Sequence, residues 1–248
     1  MHSQNEKTAQ FPRGLHQPER GFRFAVDSLL LACFAPIAPK RRVLDLGSGC
    51  GVIGLALLLR DASLAVTGLE RDSAMLECAR ENASLLGLEH HYASLPGDVR
   101  QAGSCLHPES FDLVVCNPPF RIPGQGRSSP VTTRNQALFE LHGGLEDFIT
   151  AAAFAVANKG HVCLVHVADR LVELLTLLRG HRLEPKRLCA VQGRAQTPSK
   201  LILVEARKNG APGLMLDPAL VLYNDDGALS SQALAFCPFL ACNQRRMV

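Results

Sequence analysis

Apolar positions along this chain come in two alternating kinds of block. Short unbroken runs at 42–46, 64–69, 111–116, 160–167 and 199–206 predict strands. A strand buried on both faces shows no polar alternation, because neither side meets water. The intervening stretches 52–60, 72–86, 145–157 and 168–179 carry helical patterns. This alternation predicts an α/β architecture with a parallel sheet covered on both faces. In such sheets ligands lie in the crevice outside the carboxyl ends of the strands, so the residues just past each strand are where chemistry is expected. No linker-like stretch interrupts the alternation, which predicts one main domain at 41–210, a lead-in at 1–40 packed on it and an extension at 211–248. Within that extension, 216–223 is expected to add a strand and 229–240 to cap the sheet.

The first predicted strand, Arg42-Val43-Leu44-Asp45-Leu46, runs into Gly47-Ser48-Gly49-Cys50-Gly51 and then an apolar helix. Glycines let the backbone turn tightly and approach a ligand, and a helix N-terminus offers unpaired N–H groups. Gly49, Gly51 and Gly54 also fit the dinucleotide fingerprint, which would make the chain a nicotinamide or flavin oxidoreductase. Asp45 argues against that reading, since its carboxylate repels a pyrophosphate and suits an ammonium group. The next strand ends at Glu70, about 20 residues past the glycine loop, where an acidic side chain can accept from two ribose hydroxyls. A partner to the helix N-cap beside Asp72 is the structural alternative. A third segment ends at Gly97-Asp98-Val99, where Asp98 can accept from an adenine amino group or serve an ordinary Pro-Gly-Asp turn.

Directly after the run Phe111–Cys116 stands Asn117-Pro118-Pro119-Phe120. A planar exocyclic amine is a poor nucleophile while its lone pair is delocalised, so a site that uses one must hold both protons and turn the lone pair toward the electrophile. The Asn117 side-chain carbonyl can accept one proton and a main-chain carbonyl of Pro118-Pro119 the other, because proline keeps its C=O while losing its N–H. Pro118 also keeps Asn117 extended, and Phe120 can stack on a ring, a contact worth roughly 1–3 kcal/mol per base. The alternative is a plain Asn-Pro turn after a strand.

These elements together resemble the class I S-adenosylmethionine-dependent methyltransferases. The segment from Gln17 to Ala32, with Asn135-Gln136-Ala137-Leu138-Phe139-Glu140, is similar to the bacterial tRNA (adenine-N6)-methyltransferases that act on the anticodon-loop adenine of a valine tRNA. The similarity runs from about Gln17 to Arg207 and implies a Rossmann-like, doubly wound, mostly parallel sheet of seven strands with helices on both faces. It further implies S-adenosylmethionine bound by Asp45, Gly47, Ser48, Gly49, Gly51, Glu70 and Asp98, and methyl transfer to an adenine N6 at Asn117, Pro118, Pro119 and Phe120. Phe120 departs from the commoner tyrosine, which keeps stacking and removes a hydroxyl.

Composition agrees with a cytoplasmic enzyme. The chain has 248 residues, 47% hydrophobic, enough for a full core. Met1–Pro12 lacks the apolar stretch of a signal peptide, and no run approaches the ~20 apolar residues of a membrane span. The nine cysteines show no CxxC and no Cys/His pairing for zinc, so reduced thiols and no metal are expected. Net charge is only +3, yet Arg13, Arg20 and Arg23, the stretch 121–134, and Arg182, Lys186, Arg187, Arg194 and Lys200 form basic clusters suited to RNA phosphates. A protein-glutamine, guanine-N2 or DNA adenine methyltransferase would use the same Asn-Pro-Pro-Phe chemistry, and an RNA-binding module could retain the fold without catalysis.

Overall fold

In the computed structural model the described residues are 10–18, 25–120 and 143–243. Helix α1 (Val26–Phe34) leads into strand β1 (Arg42–Leu46), helix α2 (Val52–Arg60), β2 (Ala65–Glu70), α3 (Ser73–Leu86) and β3 (Tyr92–Pro96). After a short helix α4 (Ala102–Cys105) come β4 (Phe111–Cys116), α5 (Leu145–Ala155), β5 (Val156–Val167) and α6 (Leu171–Gly180). Strands β6 (Leu183–Arg194), β7 (Leu201–Lys208), β8 (Met215–Leu216) and β9 (Leu220–Tyr223) and helix α7 (Ser231–Phe236) complete the order.

All strands join one sheet in the order β3-β2-β1-β4-β5-β7-β6-β8, with β9 also on β6. Strands β1 to β5 are parallel and β7 is antiparallel to both β5 and β6. The chain leaves β1 toward β3 on one side and resumes at β4 on the other, so the crevice opens where β1 meets β4. The described sheet has nine strands where seven were expected. The two beyond seven are β8 and β9, both parallel additions to the outer edge of β6, where the one further strand expected over 216–223 is split by residues 217–219. Strand β6 itself carries Pro185 at a register shift, which blurs its pattern in the sequence.

Local chemistry accounts for most boundaries. Helix α3 starts on Asp72, whose carboxylate accepts from the N–H groups of Ala74 and Met75, and stops at Gly87 in the left-handed conformation. Helix α2 is buried from Val52 to Leu58, against β1 and β2 on one side and beside α1, which itself packs on β5 and β7. Its Arg60 reaches across to the carbonyls of Ala32 and Ala35 at the end of α1, which satisfies acceptors that a helix terminus leaves open. One cluster of buried side chains on this face joins Leu29, Leu55 and Val115 to Ala233, Cys237 and Leu240 of the tail; a second, on the other face, joins Leu46 and Val114 to Ile149 and Leu174. Residues 10–18 pack here too: Phe11 is buried edge-on to Phe239, and the buried Asn82 amide bonds the backbone of His16 and the carbonyl of Cys50.

Tyr92 sets a tight constraint under the glycine loop. A Cβ on Gly68 would lie 2.2 Å from the Tyr92 hydroxyl and 2.7 Å from Ser48 Oγ, and one on Gly54 would lie 2.7 Å from the Tyr92 ring. The ring is buried and Gly51 also abuts it, so it has nowhere to yield. Gly68→Ala is therefore expected to destabilise the protein by about 1–3 kcal/mol through overpacking, read as a lower denaturant midpoint at unchanged slope. Wild-type stability in that variant would mean that the ring moves freely.

Candidate functional site

The carboxyl ends of β1, β2, β3 and β4 bring together Asp45, Glu70, Asp98 and Asn117, each within two residues of its strand's end. Asp45 is fully buried. Its Oδ2 accepts from Gly54 N at 3.0 Å, which caps the first turn of α2, while Oδ1 is buried without a hydrogen-bond partner. Burial raises this carboxyl to about 7; the Gly54 N–H works against the shift and the negative charge of Glu70 adds to it.

Between β1 and α2 the backbone folds back on β2: the N–H groups of Gly47 and Ser48 both donate to the Leu69 carbonyl, at 2.8 and 3.1 Å. Gly47, Gly49 and Gly51 all have positive φ, where other residues are strained. Their surroundings differ. A Cβ on Gly47 would strike the Phe148 ring at 2.9 Å and one on Gly51 the Tyr92 hydroxyl at 3.0 Å, whereas one on Gly49 would meet nothing within 4 Å. Close packing thus explains Gly47 and Gly51, and Gly49 alone borders open space.

Glu70 ties the loop to β2. Its Oε2 accepts from Gly49 N at 3.0 Å, and its Oε1 accepts from the N–H groups of Arg71 and Asp72 at 2.8 and 2.9 Å. An ionised carboxylate has about four acceptor positions, so capacity remains for a further donor. Asp98 is more heavily engaged. It accepts from Arg100 N at 2.9 Å, from Arg100 Nε at 3.0 Å and from Arg71 Nη1 at 3.4 Å. The Arg100 guanidinium, above all, holds the carboxyl at about 2. The Pro-Gly-Asp turn offered as the alternative is present here, with Asp98 capping the short helical turn Val99–Gln101 and an ion pair added.

Asn117 lies just beyond β4, and its Nδ2 donates to Ser28 Oγ at 3.1 Å. With Nδ2 on Ser28, Oδ1 is the end of the amide left to accept. Ser28 is buried in α1, with its own N–H given to Asp27 Oδ1 at 2.8 Å. Sequence reasoning assigned Ser28 no role; the available signal was a hydroxyl placed directly before the apolar run Leu29-Leu30-Leu31. Pro118 is buried, and Phe120 meets the His166 ring edge to face, with centroids 5.4 Å apart.

The basic residues separate by position. Because β7 runs antiparallel to β5, Leu201 pairs with Val167, so the exposed Arg194 and Lys200 of the β6–β7 turn lie at the carboxyl ends of the parallel strands. Arg182 directly precedes β6, at the opposite end. Arg187 is committed internally: its guanidinium pairs with Asp217 at 2.6 Å and lies 4.2 Å over the Phe34 ring. Arg20, Arg23, the stretch 121–134 and the segment Asn135–Glu140 lie outside the described residues. Among the described residues, no helix is long and apolar enough to cross a membrane and no group of three or more His, Cys, Asp or Glu side chains could hold a metal ion.

The family described as methyltransferase small domain matches residues 25–178. A protein of Porphyromonas gingivalis named tRNA1(Val) (adenine(37)-N6)-methyltransferase is 31% identical over 191 residues, which cover 75% of this chain and 74% of that protein. One of the same name from Aeromonas hydrophila is 29% identical over 213 residues, covering 85% and 86%. Among solved structures, a predicted O-methyltransferase from Agrobacterium tumefaciens shares the fold with a TM-score of 0.71 at 22% identity, covering 86% of this chain and 96% of that one.

Proposed function

Because the chain belongs to the methyltransferase small domain family, we propose that it methylates the N6 amino group of an adenine in tRNA with S-adenosylmethionine as donor. The observation that carries this reading is the Asn117 amide just past β4, bonded through Nδ2 to Ser28 with its oxygen left to accept. Relatives that share up to 31% identity and bear the tRNA adenine-N6 name support the substrate class.

The residues present fit the donor. The unpartnered Oδ1 of Asp45 suits an ammonium group, Gly49 borders open space, and Glu70 keeps acceptor capacity for a ribose hydroxyl. Asp98, also assigned to the ligand, can contribute one face of its carboxylate beside Arg71 and Arg100. S-adenosylmethionine, when bound, supplies a methyl group on a positively charged sulfur. The chain's own contribution is to the acceptor amine. Asn117 Oδ1 and the Pro118 carbonyl take its two protons, which orients the lone pair and stabilises the positive charge that develops on nitrogen. Phe120 stacks on the base, which is flipped out or already unstacked.

Arg194 and Lys200 lie at the rim of this site and suit backbone phosphates. Binding of a tRNA transcript is expected to weaken steeply between 50 and 200 mM salt, and Arg194→Ala with Lys200→Ala is expected to flatten the dependence of log K on log salt by about 2. An affinity indifferent to salt would count against a nucleic-acid partner. The substrate class itself is tested by offering labelled S-adenosylmethionine with unmodified tRNA, ribosomal RNA, DNA and a protein extract in separate reactions. Label confined to tRNA is expected; label in protein glutamine would retain the Asn-Pro-Pro-Phe chemistry and overturn the RNA reading, and cofactor binding with no transfer to any of them would indicate a binding module.

A further inference from the structure

His166 is a buried polar group that the proposed chemistry does not use. It stands next to last in β5, with no exposed surface, and beyond a loose contact with the Val167 backbone neither Nδ1 nor Nε2 has a hydrogen-bond partner. Buried polar side chains are nearly always paired, and leaving one unpaired costs about 1–3 kcal/mol. A packing role would not need nitrogen, since phenylalanine fills the same space. Its place is also telling. Cys116 of β4 pairs with Leu164 of β5, so His166, two residues on, stands level with Pro118, also two residues on. Phe120 covers its ring edge to face.

We infer that His166 reads the target base, its ring N–H donating to a ring nitrogen that flanks the methylated amino group once Phe120 turns to stack on that base. This rests on the adenine-N6 reading above. Burial and the nearby Arg170 push the imidazole down to about 4, so at neutral pH it is uncharged, with one N–H donor and one acceptor. Adenine carries acceptor nitrogens N1 and N7 on either side of its amino group, whereas guanine presents a donor at N1. A buried N–H donor placed at N1 therefore favours adenine, because guanine leaves it unpaired, whereas one placed at N7 holds either purine by the ring edge.

The test uses the full-length protein and an RNA in which the adenosine it methylates is replaced by 1-deazaadenosine or 7-deazaadenosine, each of which keeps the amino group and lacks one ring nitrogen. One of the two is expected to lower kcat/KM roughly 10- to 100-fold with wild-type protein. His166→Phe should show a similar loss on adenosine and little further loss on that analogue, and His166→Gln, which keeps an N–H donor, should recover part of it. Wild-type protein that treats both analogues like adenosine would overturn the assignment, and this arm needs no variant to fold. So would His166→Phe with wild-type kcat/KM. If the wild-type protein methylates no adenosine in any RNA, the reading beneath the assignment fails first, and that failure is visible before any analogue is used.

Discussion

Replacing Asn117 with alanine is expected to lower turnover by about 100-fold or more while leaving cofactor affinity within a few-fold of wild type, because the lost carbonyl acts on the amine only as charge develops there. The structure adds a partner to that prediction. Ser28 Oγ accepts from Asn117 Nδ2, and without it the amide can turn its N–H groups toward the amine instead. Ser28→Ala should therefore lower kcat by roughly 10-fold with little change in KM. The double variant should be no slower than Asn117→Ala alone, since the two residues act through one amide. Additive losses would show that Ser28 matters only for the stability of α1, and unchanged turnover in Asn117→Ala would remove that residue from the mechanism.

The second large effect concerns Asp45. A carboxyl that titrates near 7 is mostly protonated at pH 6, and an ammonium group beside it favours the ionised form. Cofactor binding should then release a proton, and affinity should rise by up to about tenfold per unit as pH climbs toward 7, flattening above it. Asp45→Asn keeps an acceptor for Gly54 N–H and removes the charge. It should bind the cofactor about 10- to 100-fold more weakly at pH 7.5 and lose the slope below pH 7. The same substitution should stabilise the ligand-free protein at neutral pH. An acid whose folded pKa is raised loses stability as pH rises from its unfolded value, near 4, through 7, and asparagine has no such cost. Calorimetric titration in buffers of different ionisation enthalpy measures both the affinity and the proton count. PH-independent binding by the wild type, with no proton released, would place the ammonium elsewhere.

How far the chain revealed itself depends on the range of the interactions involved. Strands β1 and β4 stand where their apolar runs predicted, because parallel strands buried on both faces advertise themselves locally. Strand β6 did not, since Pro185 and the charged Lys186 and Arg187 sit inside it; Arg187 is received there by Glu205, Asp217 and Phe34, all distant in sequence. Strand β5 starts directly at Val156, where the helical pattern was carried through 157, because no turn residue separates it from α5. The acidic residues at the strand ends were legible from spacing alone. What the glycines do was less so: Gly51, Gly54 and Gly68 make room for Tyr92. Ser28 and His166 were hidden for the same reason, as each has meaning only beside a residue on another element.

Delivery of a methyl group by the Asn-Pro-Pro-Phe site to the amino nitrogen of adenine in tRNA is the proposal on which the rest depends. It is tested most directly by digesting unmodified tRNA, after incubation with the protein and S-adenosylmethionine, to nucleosides and identifying the methylated one by mass spectrometry against standards. N6-methyladenosine is the predicted product, absent when Asn117→Ala replaces the wild type. A methyl group on a ring nitrogen, on a ribose hydroxyl or on guanine N2 would contradict the account.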